Sequence, residues 1–462
     1  MQKPMRPVNL RTLWRLALCA FLLAGKNAPA ELADPVVSFE KSQGTATIVA
    51  QPINQHKLKI DVDPKTEREP LTIRVELPTS GRNAWSAADV EVRDKQGQAL
   101  AVRRNGTEWN KLLIPVPAVH DTYFIEAIDP PRGRPPLPAE NARNLTDPAT
   151  GLSVDIARWH DGRRAALSIR FDDSHPTHLS KAIPILREYG FRGTFMINPG
   201  DNEPNSRRRS DFEEHRAEWE AVANRGDQEF ANHSAHHRGA IGDDEMEREI
   251  GEAAKALWKL FPGKNKLMAL NLGGGTVWET THTLRYYLDK YHLFDASENS
   301  TGMDDIYGER VANFRRMLEQ HIERGLWYRI HYHYIGEGLS SGEANFRAVL
   351  DIVKEHGATL WIAGMADIHK YQIERDEAAL TLIQSDHHHL TLRLSCLTNP
   401  ELYDQPLTIE ITTKKSSPPN RITVADSHGK TVAVRVAQVR GEQVLRFEVA
   451  PRDATYSIEL IP

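Results

Sequence analysis

The spacing of apolar residues changes period twice along this chain, and that change limits the fold more than any other feature. From about Val36 to Ala127, short runs alternate apolar and polar residues (GTATIVA, HKLKIDVD, LTIRVEL, ADVEVRD, YFIEAI), separated by turns such as Asp94-Lys95-Gln96-Gly97. Period two with frequent turns is the pattern of an all-β sandwich. From Ala165 the pattern becomes strand, helix, strand, helix: AALSIRF, PTHLSKAIPILREYG, RGTFMINPG, HRAEWEAVANRG, DQEFAN. Asp243 to Leu260 carries Met246, Ile250, Ala254 and Leu257 on one helical face. Such alternation over more than two hundred residues requires a parallel sheet, open or closed into a barrel. From about Leu380 period two returns (LTLRLSCL, LTIEITT, TVAVRVA, VLRFEVA, YSIELI).

The expected division is therefore a β-sandwich module over 31–128, a proline-rich linker over 129–150, an α/β domain over 151–375 and a second β-sandwich over 376–462. The flanking modules resemble each other. VEVRDKQGQALAVR stands beside ITVADSHGKTVAVR, and AVHDTYFIEAI beside APRDATYSIELI, which favours an internal repeat. Neither module carries a convergent ionisable cluster, so both are expected to pack, orient or bind substrate.

Residues 1–30 read as an export signal. A basic start (MQKPMRPVNLRTLWR) precedes an apolar stretch (LALCAFLLAG) too short to span a bilayer, and Ala28-Pro29-Ala30 offers small residues for cleavage. An exported, periplasmic or extracellular protein is expected, with Cys396 as its one remaining cysteine and no internal disulfide. No later segment is long and apolar enough to cross a membrane. A net charge of −5 over 462 residues argues against a nucleic-acid partner, and the run Arg207 to Arg209 reads as a solvated loop.

Three segments carry chemistry. SIRFDDSH ends a strand at Asp172 and Asp173, where α/β folds place their sites. Adjacent strand residues face opposite ways, so one carboxylate can reach a metal while the other stands beside it as a base. After the strand DQEFAN come His233, His236 and His237. Spacings i, i+3 and i, i+4 both allow convergence, so spacing leaves His236 and His237 open. One Asp and two His with positions left to water make a catalytic arrangement rather than a structural one. WYRIHYHYIGEG then ends a third strand in His331 and His333, and His333 fits the proton donor a leaving group needs. The tract Asp386 to His389 sits in the C-terminal module and reads as an exposed loop with adventitious or no metal binding.

The order FDD, then NHSxxH, then H-x-I-G followed by LWIAGMADIHKY, resembles the polysaccharide deacetylase family (carbohydrate esterase family 4) over roughly Ala165 to Tyr371. The resemblance implies a distorted (β/α)7 barrel and a metal-dependent deacetylase acting on an acetylated oligo- or polysaccharide. It implies Asp172 as base, Asp173, His233 and His237 as ligands of Zn²⁺ or a similar divalent metal, and His333 as acid. A carbohydrate-binding protein on the same scaffold, with weak or no catalysis, is the alternative; a metal hydrolase cutting a non-sugar amide is a third. The chain departs from the family after the fourth strand, where MALNLGGGTVWE lacks the usual arginine that orients the base. Asn271, Arg310 or Arg315 is expected to stand in for it. Asn271, Gly274 and Trp278 are the candidate substrate contacts, with the Gly273–Gly275 run allowing close approach to a sugar.

Overall fold

The computed structural model describes residues 35–39, 46–65, 70–79, 84–128, 137–200, 211–261, 265–297, 300–336, 341–413, 421–439 and 441–461. The export signal (1–30), the arginine run and the proline-rich residues 129–136 lie outside the described residues.

The central domain is a mixed α/β unit on one parallel sheet. Its spatial strand order is Leu293–Asp295, Met268–Leu270, Glu229–Asn232, Thr194–Ile197, Ala165–Phe171, Trp327–Tyr332 and Thr301–Gly302. Ala165–Phe171 is central and every one of its residues is buried, as a strand covered on both faces must be. Trp327–Tyr332 runs along one side of it; Leu360–Ile362 and Thr194–Ile197 share the other side at different heights. Among the described residues no pairing joins Leu293–Asp295 to Thr301–Gly302. The sheet is thus a curled parallel half-barrel, within the mixed α/β class that the family resemblance implies. Helices Ile183–Tyr189, Arg216–Arg225, Ala253–Leu260, Arg310–Arg324 and Glu343–Glu355 cover it. The helical face read from Asp243 to Leu260 buries Met246, Ile250, Ala254 and Leu257, with a π-helical turn at Glu247–Glu252.

The N-terminal region forms two sheets around one apolar core that includes Ile60, Ile73, Val92, Ile114 and Ile125. One has the order Ala46–Asn54, Lys57–Pro64, Asp121–Ala127, Val90–Asp94. The other begins Val36–Phe39, Leu71–Glu76, Glu108–Val116, Val102–Asn105. The C-terminal region repeats this plan. Ala378–Ser385, His389–Cys396, Ala454–Ile461 and Arg421–Asp426 are neighbours in that order, as are Leu152–Ile156, Leu407–Thr413, Glu442–Val449 and Arg435–Val439. The strand order of the two regions matches position by position, which supports the repeat.

Two boundaries shift. Asn144–Asp147, within the stretch read as linker, and Leu152–Ile156, read as the start of the α/β domain, form a hairpin that completes a C-terminal sheet by pairing with Leu407–Thr413. Strands of four and five residues give too little periodicity to betray their partner. The N-terminal sheet does not stop at its own boundary either: Val102–Asn105 pairs antiparallel with Val277–Thr280 of the central domain, which in turn pairs with Ala240–Ile241. No helix among the described residues is long and apolar enough to cross a membrane.

Candidate metal centre and catalytic cleft

The site lies where parallel strands end. Asp172 and Asp173 follow Ala165–Phe171, His233 follows Glu229–Asn232, Asn271 follows Met268–Leu270, and His333 follows Trp327–Tyr332. Carboxyl ends of neighbouring strands converge, so Asp172 and His333, 161 positions apart in sequence, line one cleft of ≈ 670 Å³.

Asp173, His233 and His237 offer ligand atoms that all lie within 4.8 Å of one another, the only such group of three among the described residues. His233 Nε2 is 3.2 Å and His237 Nε2 3.4 Å from Asp173 Oδ1. His233 Nδ1 lies 2.7 Å from the Asn271 carbonyl oxygen. A carbonyl only accepts, so Nδ1 carries the proton and Nε2 keeps its lone pair for a cation. One carboxylate and two imidazoles with open positions fit a divalent metal of the zinc type. His236 is turned away: its Nδ1 lies 2.8 Å from Glu249 Oε1 and its N–H donates to Oε2 at 2.9 Å. The burial of the Asp173 carboxyl would raise its pKa, but bonds to His175 and His233 hold it well below the usual carboxylate range. Backbone strain collects here. Of the six non-glycine residues with positive φ among the described residues, Asp173, Ser174, Ser234 and His237 belong to this site. Such conformations cost of order 1–3 kcal/mol each and persist where the surroundings enforce them.

Asp172 is buried beside this cluster. Arg170 Nη2 donates to its Oδ2 at 2.9 Å and Arg170 Nε lies 2.9 Å from Oδ1, without the geometry of a second hydrogen bond. Asn271 Nδ2 donates to the same Oδ2 at 3.3 Å, and Arg170 is itself tied to the Ala296 carbonyl at 3.0 Å. Burial would raise the Asp172 carboxyl; the Arg170 guanidinium and the neighbouring His233, His331 and His333 together outweigh it and hold it at about 2, so it is ionised throughout the neutral range. No arginine follows the fourth strand, but one from Asp172's own strand stands against its carboxylate. Period two in SIRFDD places Arg170 and Asp172 on one face, so the sequence held this signal unread. Arg315 pairs with Glu355 at 2.6 Å and Arg310 lies over the Tyr307 ring, so neither takes that place.

His333 faces the cleft with its Nδ1 2.5 Å from Asp304 Oδ2, and its backbone N–H donates to Asp304 Oδ1 at 3.1 Å. Burial alone would lower its pKa, but the bond to Asp304 and the charge of Asp172 raise it to about 9. His331, two residues back, is pushed down to about 4 by burial and by Arg170, and bonds Ser300 at 2.9 Å. Asp304 lies on a separate segment, and no local pattern links it to His333. Of the candidate substrate contacts, Gly274 is exposed at the cleft and Asn271 lies beneath it against Asp172. Trp278 is a correction: it is fully buried, its Nε1 donates to Thr276 Oγ1 at 2.7 Å, and it does not line the cleft. Burial alternates along Val277–Thr280, and Trp278 lies on the face that packs into the central core. Thr107 and Asn110, from the N-terminal module, do line the cleft, and period-two reading had no means to place them there.

The family model for polysaccharide deacetylase matches residues 160–289. Gellan lyase from a Bacillus species is 22% identical over 309 residues; the match spans 61% of this chain but only 12% of that protein's length. Among solved structures, a family 4 carbohydrate esterase from Streptomyces lividans in complex with acetate is 18% identical, with a TM-score of 0.32 over 44% of this chain and 94% of its own. A family 4 acetyl xylan esterase from Clostridium thermocellum is 15% identical, with a TM-score of 0.30 over 44% and 89%. A pseudoenzyme of the same family from Bacillus anthracis is 11% identical, with a TM-score of 0.29 over 46% and 67%. Through residues 160–289, the chain carries a polysaccharide deacetylase domain.

Proposed function

We propose that this protein is an exported, metal-dependent deacetylase that hydrolyses N- or O-acetyl groups of a carbohydrate, with Zn²⁺ as its metal. The observation that carries the reading is the placement of an ionised, arginine-held Asp172 beside the convergent group Asp173, His233 and His237, with His333 in the same cleft. Asp173, His233 and His237 hold the metal, which when bound polarises the acetyl carbonyl and lowers the pKa of a water molecule. Asp172 takes a proton from the attacking water, its carboxylate kept in place by Arg170 and Asn271. His333, held protonated by Asp304, gives its proton to the departing amine or sugar oxygen. The match of residues 160–289 to the polysaccharide deacetylase family model supports a sugar substrate. The export signal supports a site of action outside the cytoplasm.

Acetate release from N- and O-acetylated oligosaccharides, measured with and without chelator, tests the reading. Release that chelator stops and Zn²⁺ restores is expected. Release indifferent to chelator contradicts the metal, and tight glycan binding with no acetate from either series selects the binding-protein alternative.

A further inference from the structure

The N-terminal module reaches the metal centre through a single turn. Three short strands from three distant parts of the chain lie side by side: Val102–Asn105 of the module, then Val277–Thr280, then Ala240–Ile241. The second follows the glycine loop at Gly273–Gly275, and the third closes the loop that carries His233 and His237. Gly106, at the tip of the module's hairpin, donates its N–H to the Thr276 carbonyl at 3.1 Å. A Cβ added there would stand 2.2 Å from the Gly273 carbonyl oxygen and 2.5 Å from Thr276 Oγ1. A Cβ on Gly273 would in turn stand 2.3 Å from His237 Nε2. Gly106, Gly273 and His237 are therefore stacked in direct contact, with no room for a methyl group at either step.

The module is seated firmly enough to transmit that contact. Trp109 is buried in the core of the central domain, with the Arg104 guanidinium 5.0 Å from its ring centre. Ion pairs Arg103–Glu279 at 2.7 Å and Arg285–Asp89 at 2.9 Å cross the same junction. Asn105 Oδ1 accepts from the Thr107 N–H at 3.0 Å, which fixes the turn. Beyond it, Thr107 and Asn110 line the cleft shared by Asp172 and His333.

We propose that the Asn105–Thr107 turn belongs to the catalytic unit. Gly106 positions the metal ligand His237 through the glycine loop. Thr107 forms a wall against the sugars that flank the acetylated residue of a glycan chain. The second half rests on the deacetylase reading; the first does not.

The test uses the full chain stripped of metal and titrated calorimetrically with Zn²⁺, beside a thermal melt. Gly106→Ala is expected to weaken Zn²⁺ binding by about 10-fold or more, the range in which outer-shell changes act. Gly441→Ala, at the matching hairpin of the C-terminal module, is expected to leave that affinity unchanged. Wild-type affinity in folded Gly106→Ala overturns the positioning role. Should that variant not fold, Asn105→Ala, which removes only the turn's side-chain bonds, is expected to weaken Zn²⁺ binding about 3-fold; no change overturns the role equally. For the wall, Thr107→Trp is expected to lower kcat/KM for an acetylated hexasaccharide about 10-fold relative to the acetylated monosaccharide, and an unaltered ratio overturns it. If wild-type protein releases no acetate from either substrate, the deacetylase reading fails, while the Zn²⁺ titration still decides the role of Gly106.

Discussion

The two β regions share a strand order and stand in opposite relations to the cleft. In the N-terminal one, Val102–Asn105 has a central-domain strand as its outer neighbour, and the hairpin tip presses on the glycine loop. In the C-terminal one, the equivalent strand Arg435–Val439 ends its sheet, Val436 and Val439 are exposed, and Gly441 has nothing within 4 Å of an added Cβ. That region attaches by its opposite flank. Leu152–Ile156 joins its sheet, Tyr371 donates to the Ala157 carbonyl at 2.9 Å, and its core takes in Ala166, Ala363 and Ile368. The same unit is thus tied into the candidate metal site or held away from it according to which edge it offers. Sheet edges are what proteins must pair or cover, and here one edge has been put to use.

The contrast can be sharpened or broken by substitutions ranked by proximity to the glycine loop. The largest effect is expected for His237→Ala, at the end of the Gly106–Gly273 contact line. Zn²⁺ binding should weaken by more than the ~10–100-fold of outer-shell losses, with acetate release lost alongside. Next is Arg170→Gln, which leaves the buried Asp172 carboxylate without its cation. Urea unfolding at pH 7 should show a loss of about 3–5 kcal/mol, with Arg170→Lys in between. The Asp172 pKa lies lower in the fold than in the unfolded chain. Its wild-type contribution is therefore present above the unfolded value of about 3.9 and is lost as pH falls towards about 2.

The third expectation concerns pH. His333 must be protonated to act as an acid, so kcat should fall on the alkaline side. Its pKa of about 9 rests partly on the negative charge of Asp172 and Asp173. A bound dication offsets that charge, so the limb should lie between about 6.5 and about 9, and Asp304→Asn should move it lower. A limb unmoved by Asp304→Asn would separate His333 from the acid role. The smallest effects belong to the C-terminal region. Gly441→Ala, forced to keep φ at +84°, should cost about 1–2 kcal/mol of stability, and His387→Ala with His388→Ala should leave metal stoichiometry at one. Those two side chains are exposed and His389 is engaged with Ser457 at 2.6 Å. A second equivalent of metal lost with them would break the contrast from the other side.

What the sequence disclosed depended on whether the signal was local. The buried run AALSIRF and the order FDD, NHSAHH, HYH could be read because each lies within one strand and its following loop. The choice between His236 and His237 could not be made from spacing, since it turns on Glu249 lying 13 residues ahead and claiming His236. Arg170 is legible through period two, which puts it on the face of Asp172, although the family pattern sets its arginine after the fourth strand. Asp304, the pairing of Asn105 with Val277, and the hairpin at 144–156 each join segments with no shared pattern, and only tertiary packing brings them together. Trp278, a candidate substrate contact, is instead a core residue, because the face of its short strand that packs inward is fixed only by tertiary packing. The missing arginine and the two β modules together favour the binding-protein alternative, and the Arg170–Asp172 contact answers the first of these.

The most direct test of the account is Asp172→Asn, assayed together for bound Zn²⁺ and for acetate released from an acetylated oligosaccharide. The account predicts one equivalent of Zn²⁺ retained, because Asp173, His233 and His237 are untouched, and a turnover lower by about 10²–10⁴. Acetate release at the wild-type rate would contradict Asp172 as the base, and loss of the metal with the substitution would contradict the division of labour between the two adjacent carboxylates.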